Sequence, residues 1–211
     1  MMNADGSEIE QLTDLPGDET APAWSPDGET IAFAFDDGGS TDFRGGVATL
    51  ASDGSGVVTE LFARTNEVAD GPEWSPDGDR IGFTLFTAEG MHPYVMAADG
   101  ADAARLRDER ALVLGWTPDG QRILLSEDAS FVTVRPDGSG ERVFIEDVPE
   151  KGRLVIDWSP DGQWIIASTP QRYAQISGGP ANLHMYLMRA DGSQTFWIGS
   201  GAEPSWSPED G

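Results

Sequence analysis

The chain of 211 residues contains no cysteine, which excludes disulfide bonds and thiol chemistry. It also has no apolar run of about 20 residues, so no membrane insertion is predicted. The first residues show neither a basic stretch nor an apolar core, so a signal peptide is not expected. Composition therefore favours a chain that does not insert into a membrane, without identifying its compartment.

Positive charge is scarce. The 13 Lys and Arg stand against 37 Asp and Glu, which gives a formal net charge of −24, and lysine occurs only as Lys151. Such acidity is typical of salt-adapted proteins, and a genome that prefers arginine codons is the alternative explanation. Binding phosphates needs clustered Lys and Arg, so no nucleic-acid partner is predicted. A basic partner or a metal ion would be attracted.

Motifs for catalysis are missing as well. The sequence has no G-x-S-x-G, no H-E-x-x-H and no phosphate-binding G-x-x-x-x-G-K-[ST]. Its two histidines, His92 and His184, each stand seven residues before a repeated Asp-Gly pair, which favours a structural position over a shared metal site. No catalytic residue is predicted, and whether the chain is an enzyme is left open.

What the sequence has instead is a repeat. A Trp-Ser-Pro-Asp-Gly turn recurs, with Thr for Ser in the third copy and an extra acid in the fifth, and its tryptophans step by 50, 42, 42 and 48 residues. A period in the forties with strand-like patterning predicts a propeller or a similar array. The repeated residues are Trp24, Trp74, Trp116, Trp158 and Trp206, with the turn aspartates Asp27, Asp77, Asp119 and Asp161.

Each repeated turn predicts a hairpin. Proline presets φ for a type I turn, Asp tolerates the next position, and Gly supplies a positive φ at the exit. An Ile three residues after the Gly and an apolar residue two further on give the period-two pattern of a strand. A second Asp-Gly turn lies later in each period. Each period therefore holds four strands, A to D, with the first turn between A and B and the second between C and D.

The predicted fold class is all-β: a β-propeller of four-stranded antiparallel blades, with four complete repeats plus a split or incomplete fifth. Blades end near residues 64, 108, 145 and 198, and residues 1–211 are predicted to form a single domain. The fifth blade would combine a strand at 203–206 with one that contains Ile9 and Leu12. Because this blade lacks strand B, the chain is a fragment of a larger propeller, pairs with another copy, or closes imperfectly; we favour the first.

The repeat resembles that of the TolB-type β-propellers. The resemblance rests on the Trp-Ser-Pro-Asp-Gly turn, the Ile-x-Phe that follows it twice, and the later Ala-Asp-Gly-Ser turn, and it covers nearly the whole chain. It implies a non-catalytic scaffold that binds a protein or peptide, and a periplasmic or secreted location. The alternatives are an accessory propeller domain of a prolyl-oligopeptidase-type hydrolase and a propeller lyase that acts on carbohydrate, since a fold does not fix a function.

The repeated side chains are predicted to be structural. The tryptophans are expected to lie buried between neighbouring sheets, with each indole N–H bonded to one partner. The turn aspartates are expected to cap their turns rather than form an acidic ring.

Function is predicted in the B–C loops, which are long in blades one and four (36–45 and 169–182) and short near 88–90 and 127–129. The expected partner is a basic protein or peptide, with self-association through the incomplete blade as a further prediction. No cofactor is predicted, although Asp36, Asp37 and Asp42 are candidate Ca²⁺ ligands. The predicted binding residues are Asp37, Asp42, Arg44, Arg172, Tyr173 and Gln175.

Overall fold

The computed structural model describes residues 1, 5–39, 41–127, 130–145, 155–159, 161–170, 183–190, 193–200 and 206. Regular secondary structure in these residues consists of β-strands. In chain order the strands are β1 (Glu19–Trp24), β2 (Thr30–Asp36), β3 (Arg44–Ala51), β4 (Val58–Thr65), β5 (Val68–Trp74), β6 (Arg80–Thr87), β7 (Gly90–Ala97), β8 (Ala104–Arg105), β9 (Ala111–Trp116), β10 (Ile123–Glu127), β11 (Ser130–Val134), β12 (Arg142–Ile145), β13 (Val155–Trp158), β14 (Trp164–Pro170), β15 (Leu183–Arg189) and β16 (Thr195–Ser200).

These strands form four antiparallel sheets of four. Sheet 1 contains β1–β4, sheet 2 β5–β8, sheet 3 β9–β12 and sheet 4 β13–β16, and within every sheet neighbouring strands follow one another along the chain. The four sheets coincide with the four periods of the sequence. The predicted fold class, an all-β propeller of four-stranded meander blades, is confirmed.

The Trp turn sets the register between the first two strands of each sheet. The first four repeated tryptophans each stand opposite the Ile that follows the turn, as Trp24 stands opposite Ile31 and Trp74 opposite Ile81. The turn Gly is left-handed in every described copy; Gly28 has φ 74° and Gly78 φ 77°. A residue with a Cβ would be strained there, which explains why the turn ends on Gly.

The chain divides into two compact units, residues 1–108 and 109–211. That both belong to one domain stays a prediction. In unit 1 the core lies between sheets 1 and 2, where Ala32 and Val47 meet the fully buried Ile81 and Phe83. Burial of these aliphatic and aromatic side chains is what holds the two sheets together. In unit 2 two smaller clusters share Ile156 and Trp158; their buried members are Leu124, Phe131, Ile165, Ala167 and Met188.

Two of the repeated tryptophans, Trp74 and Trp206, bond to the preceding sheet. The indole Nε1–H of Trp74 donates to the carbonyl of Ala23, at 3.2 Å, and that of Trp206 donates to the carbonyl of Asp157, also at 3.2 Å. Both acceptors are the residue that precedes the previous repeated Trp. Trp206, from the predicted fifth repeat, therefore packs on sheet 4 as Trp74 packs on sheet 1.

Trp24 departs from this pattern. Its side chain is 52% exposed, whereas Trp116 is only 6% exposed. The prediction that every repeated Trp is buried is therefore wrong for Trp24. The described residues before β1 form no strand, so they provide no preceding sheet to cover the ring.

A strand containing Ile9 and Leu12 was also expected, and this prediction is wrong. Residues 5–18 contain no strand, and Ile9 is 81% exposed. As the fourth strand of a meander it would pair with a third strand, and the described residues before it form none. Instead, Leu12 and Leu15 pack on the outer face of sheet 1, whose buried residues are Phe33, Ala48 and Leu50.

Candidate functional site

The meander separates each sheet into two ends with different chemistry. In sheet 1 the turn end carries residues 25–29 and 52–57, which connect β1 to β2 and β3 to β4. The loop end carries residues 16–18, 37–43 and 66–67, which precede β1 or connect β2 to β3 and β4 to β5. The equivalent places in the other sheets are likewise their turn end and their loop end.

At the turn end, the polar groups of the Trp turn bond to one another. The hydroxyl of Ser25 donates to Asp27 Oδ1 at 2.5 Å, the amide of Glu29 donates to the same oxygen at 3.0 Å, and the amide of Thr30 donates to Ser25 Oγ at 2.9 Å. The same three bonds recur in the turns of Asp77, Asp119 and Asp161. These contacts account for the repeated aspartates by turn formation alone.

The same bonds explain how these carboxyls titrate. The Ser or Thr hydroxyl, followed by the backbone amide, holds the pKa of each turn aspartate below its usual value because both donors favour the charged form. Asp53 and Asp137 in the second turns behave alike, since the hydroxyl and amide of Ser55 and Ser139 lower their pKa. The turn end is uniform and engaged in folding.

At the loop end of sheet 1, the chain before β1 lies directly against the end of β2. A Cβ on Gly17 would lie 2.1 Å from the carbonyl oxygen of Asp36 and 2.6 Å from the amide of Gly38, so only glycine permits this approach. The amide of Asp36 donates to the carbonyl of Asp18 at 3.0 Å. This contact fixes the first half of the β2–β3 loop.

The second half of the loop is fixed from the other side. The carbonyl of Phe43 accepts from the amide of Asn66 at 2.8 Å, and the amide of Asp37 donates to the carbonyl of Arg44 at 3.0 Å. A Cβ on Gly45 would lie 2.4 Å from the carbonyl oxygen of Glu67. The β2–β3 loop is therefore held between its neighbours on both flanks. It spans 37–43 rather than 36–45, since Asp36 and Gly45 pair as strand residues.

The predicted binding residues of this loop face solvent. Asp37 and Asp42 are exposed, and Asp42 adopts a left-handed backbone with φ 57°. Asp37 Oδ1 accepts from the amide of Gly39, at 3.2 Å, whereas the Asp42 carboxylate bonds to no described residue. Arg44 donates through two guanidinium nitrogens to both carboxylate oxygens of Glu60, at 2.7 and 3.2 Å. Its side chain is 51% exposed, so the paired guanidinium still faces water.

The aspartates of the loop do not gather into a metal site. Within the described residues, no three His, Asp or Glu side chains come together as a metal ion would require. Asp36 Oδ1 accepts from the amide of Gly38 at 2.7 Å, so it serves the loop backbone. The arrangement gives no support to the Ca²⁺ site for which Asp36, Asp37 and Asp42 were candidates.

The other half of the predicted site belongs to sheet 4. The connection between β14 and β15 comprises residues 171–182, and Pro170 and Leu183 pair at its base. Arg172, Tyr173 and Gln175 lie in this connection, outside the described residues.

Two features were not predicted from the sequence. His92 is 4% exposed, and the Arg105 guanidinium donates to its Nδ1 at 2.7 Å. Desolvation by the surrounding protein raises the pKa of Glu73 to about 7, although the residue as a whole is exposed at the surface of β5. Glu73 stands beside Trp74 on β5, and nothing in the turn pattern singles it out.

Within the described residues, no helix is long and apolar enough to cross a membrane. No protein-family model matches the chain. A stretch of 39 residues is 51% identical to dipeptidyl-peptidase 5 of Porphyromonas gingivalis; it covers 18% of this chain and 6% of that protein. This short match carries no activity over to the chain.

Solved structures give a broader match. The putative TolB from Agrobacterium tumefaciens superposes with a TM-score of 0.65 at 19% identity, covering 95% of this chain and 69% of that one. The oligogalacturonate lyase from Vibrio parahaemolyticus superposes with a TM-score of 0.67 at 12% identity, covering 99% of this chain and 61% of that one. At such identities the similarity concerns the fold alone. The chain therefore has the β-propeller fold of the TolB-type repeat proteins.

Proposed function

We propose that the chain is a non-catalytic β-propeller scaffold that binds a protein or peptide at its loop end. The residues proposed to make the contact are Asp37, Asp42, Arg44, Arg172, Tyr173 and Gln175. The first three lie on the described β2–β3 loop or next to it. The other three lie in the β14–β15 connection and enter the proposal on their sequence alone.

One observation carries the proposal: the β2–β3 loop is braced on both flanks, yet its charged side chains point to water. Gly17 and Asn66 hold the loop backbone, while Asp37 and Asp42 stay exposed. A braced loop loses little conformational freedom when a partner binds, so its exposed groups are available at low entropic cost. At the turn end, by contrast, the repeated aspartates bond to their own turns.

The charge of the chain indicates a basic partner. The net charge of −24 would attract a cationic protein or peptide and speed its encounter, increasingly so at low ionic strength. Arg44 and Glu60 form a paired charge beside the two aspartates, which gives the surface a fixed local pattern rather than a uniform negative field.

Peptide selection tests the proposal. Peptides selected from a random display library on the wild-type chain should be rich in Arg and Lys. The double variant Asp37→Asn/Asp42→Asn should bind them at least about tenfold more weakly, which corresponds to about 1.4 kcal/mol. The matched control Glu29→Gln/Asp79→Asn removes the same charge at the turn end and should bind as the wild type does. Equal losses in both variants, or no selected peptide, would overturn the proposal.

A second candidate function is an accessory propeller domain of a hydrolase. The 39-residue similarity to dipeptidyl-peptidase 5 supports this candidate. Mass spectrometry of the natural polypeptide distinguishes the two proposals. A polypeptide much larger than these 211 residues that carries a hydrolase domain would favour the second candidate.

A further inference from the structure

Three arginines lie together next to the turn end of sheet 3. Arg122 directly precedes β10, Arg135 directly follows β11, and Arg142 begins β12. The register of these strands places the three residues on the same face of the sheet, since residues that stand opposite one another share a face. The whole chain has only 13 basic residues, so this patch departs locally from its acidic composition.

The guanidinium of Arg122 is held by its neighbours. Its Nε donates to Thr133 Oγ1 at 2.8 Å, and its Nη2 donates to the carbonyl of Thr133, at 2.7 Å, and to that of Gly140. Nη1 of Arg135 fills the space that a Cβ on Gly140 would occupy, so both guanidiniums lie against this glycine. Nη1 of Arg122 bonds to no described residue, which leaves its two N–H groups for another acceptor.

The described carboxylates do not balance this charge. Among the described residues, none of the three arginines forms an ion pair. The carboxylates of Asp119 and Asp137 bond to their own turns. Partial burial, followed by the charges of Arg142 and Arg135, lowers the pKa of the Arg122 guanidinium, because each disfavours its charged form. An anion bound among the three side chains would relieve this repulsion.

The other sheets indicate that the fold does not require these arginines. By strand register, the equivalent positions hold Thr30, Ala51 and Thr59 in sheet 1, Arg80, Ala97 and Ala104 in sheet 2, and Trp164, Arg189 and Phe196 in sheet 4. In sheet 4 the guanidinium of Arg189 stacks on the ring of Trp164, 4.5 Å from its centroid, so packing accounts for that arginine. Neither the turn nor the repeat accounts for three arginines in sheet 3.

We propose that Arg122, Arg135 and Arg142 bind a small, multiply charged oxyanion of the phosphate class. A guanidinium presents paired N–H groups that match two oxygens of phosphate, and such charge-assisted hydrogen bonds are roughly twice as strong as neutral ones. Arg122 is already oriented by Thr133, so it loses little freedom on binding. This site is separate from the loop end and does not depend on binding there.

The net charge of the chain favours a small ligand over a macromolecule. A charge of −24 repels anions, but at physiological ionic strength this repulsion is screened beyond about 8 Å. A phosphate-sized anion among the three arginines stays within about one screening length of all three positive charges. A nucleic acid or an acidic protein would extend over the acidic remainder of the surface and be repelled.

Isothermal titration calorimetry with inorganic pyrophosphate, at constant ionic strength in metal-free buffer, tests the proposal. The wild type should show saturable binding. The double variant Arg135→Gln/Arg142→Gln should raise the dissociation constant by about tenfold or more. Arg135→Lys/Arg142→Lys keeps the charges without the paired N–H groups and should give an intermediate value. Circular dichroism should show both variants folded, since Arg135 and Arg142 are exposed.

The matched control is Arg80→Gln/Arg189→Gln, which removes the same charge at equivalent positions of sheets 2 and 4. This variant should bind pyrophosphate as the wild type does. A wild type without saturable binding at millimolar pyrophosphate would overturn the proposal. Equal weakening in both glutamine variants would overturn it as well, since binding would then follow net charge alone. Binding of hexaglutamate but not of pyrophosphate would also overturn it and assign the cluster to an acidic peptide.

Discussion

Replacing Trp74 by Ala is the most informative test of how the sheets are held together. Trp74 is half-buried, packs on the core between sheets 1 and 2, and donates its indole N–H to Ala23. The substitution removes both contributions at once. The equivalent Trp24 is 52% exposed and its indole N–H bonds to no described residue, so Trp24→Ala makes the same chemical change without a preceding sheet.

The magnitude follows from area and hydrogen bonding. An aromatic side chain buries about 150–250 Å² at about 25 cal/mol per Å², or about 4–6 kcal/mol when fully covered. Half to two thirds of this is expected for Trp74, and loss of the hydrogen bond adds about 1 kcal/mol. Trp74→Ala should therefore cost about 3–5 kcal/mol. Trp24→Ala should cost about 1 kcal/mol, because truncating an exposed ring leaves no closed cavity.

Urea unfolding followed by far-ultraviolet circular dichroism provides the measurement. Trp74→Phe separates the two contributions: it keeps most of the packing and should cost about 1–2 kcal/mol. Equal costs for Trp24→Ala and Trp74→Ala would refute the argument, since the tryptophans would then stabilise their own strands rather than the contact between sheets.

Three further predictions concern charge. Burial raises the pKa of Glu73 from 4.5 to about 7, so between these two pH values the folded protein keeps a proton that the unfolded chain loses. The free energy of unfolding should therefore fall as pH rises from 4.5 to about 7. Urea titrations should show that Glu73→Gln becomes increasingly more stable than the wild type over the same pH range. The pKa of Asp77 is lowered from 3.8 by the Ser75 hydroxyl and the Asp79 amide, so Asp77→Ala should destabilise the protein at neutral pH, with the difference shrinking as pH falls below 3.8. If the net charge of −24 reflects salt adaptation, the thermal midpoint should rise markedly between dilute buffer and molar KCl.

The repeat makes most of the fold predictable from the sequence. The Trp turn fixes a hairpin through local chemistry, namely Pro and Gly backbone preferences and the Ser25–Asp27 hydrogen bond, so its position needs no knowledge of tertiary contacts. Four copies in register give four sheets, and the pairing of Trp24 with Ile31 is the one that the alternating pattern indicates.

The predictions that were wrong concern residues whose structure depends on tertiary contacts and not on the local sequence pattern. Ile9 and Leu12 have strand-like spacing, but a strand forms only where a neighbour accepts its hydrogen bonds, and the segment packs by Leu12 instead. Trp24 carries the same motif as Trp74, yet its burial depends on a sheet that the described residues before it do not form. A motif specifies the side chain and its turn; burial depends on what packs against it.

The candidate site was predictable only in outline. The length and composition of the β2–β3 loop indicated an exposed acidic surface, and Asp37 and Asp42 are exposed. The bracing by Gly17 and Asn66 was not predictable, because it depends on contacts between segments distant in sequence. The raised pKa of Glu73 likewise depends on the protein packed around it, which no local pattern reports.

The measurement that tests the central claim most directly is peptide binding by a variant whose β2–β3 loop is shortened. Residues 37–43 would be replaced by a two-residue connection like that between Glu127 and Ser130. Loop-closure entropy changes slowly with length, so the free energy of unfolding should change by only about 1 kcal/mol. This variant is expected to remain folded and to lose its binding of the peptides selected on the wild type. A folded variant that binds them with unchanged affinity would contradict the claim that the loop end is the binding surface.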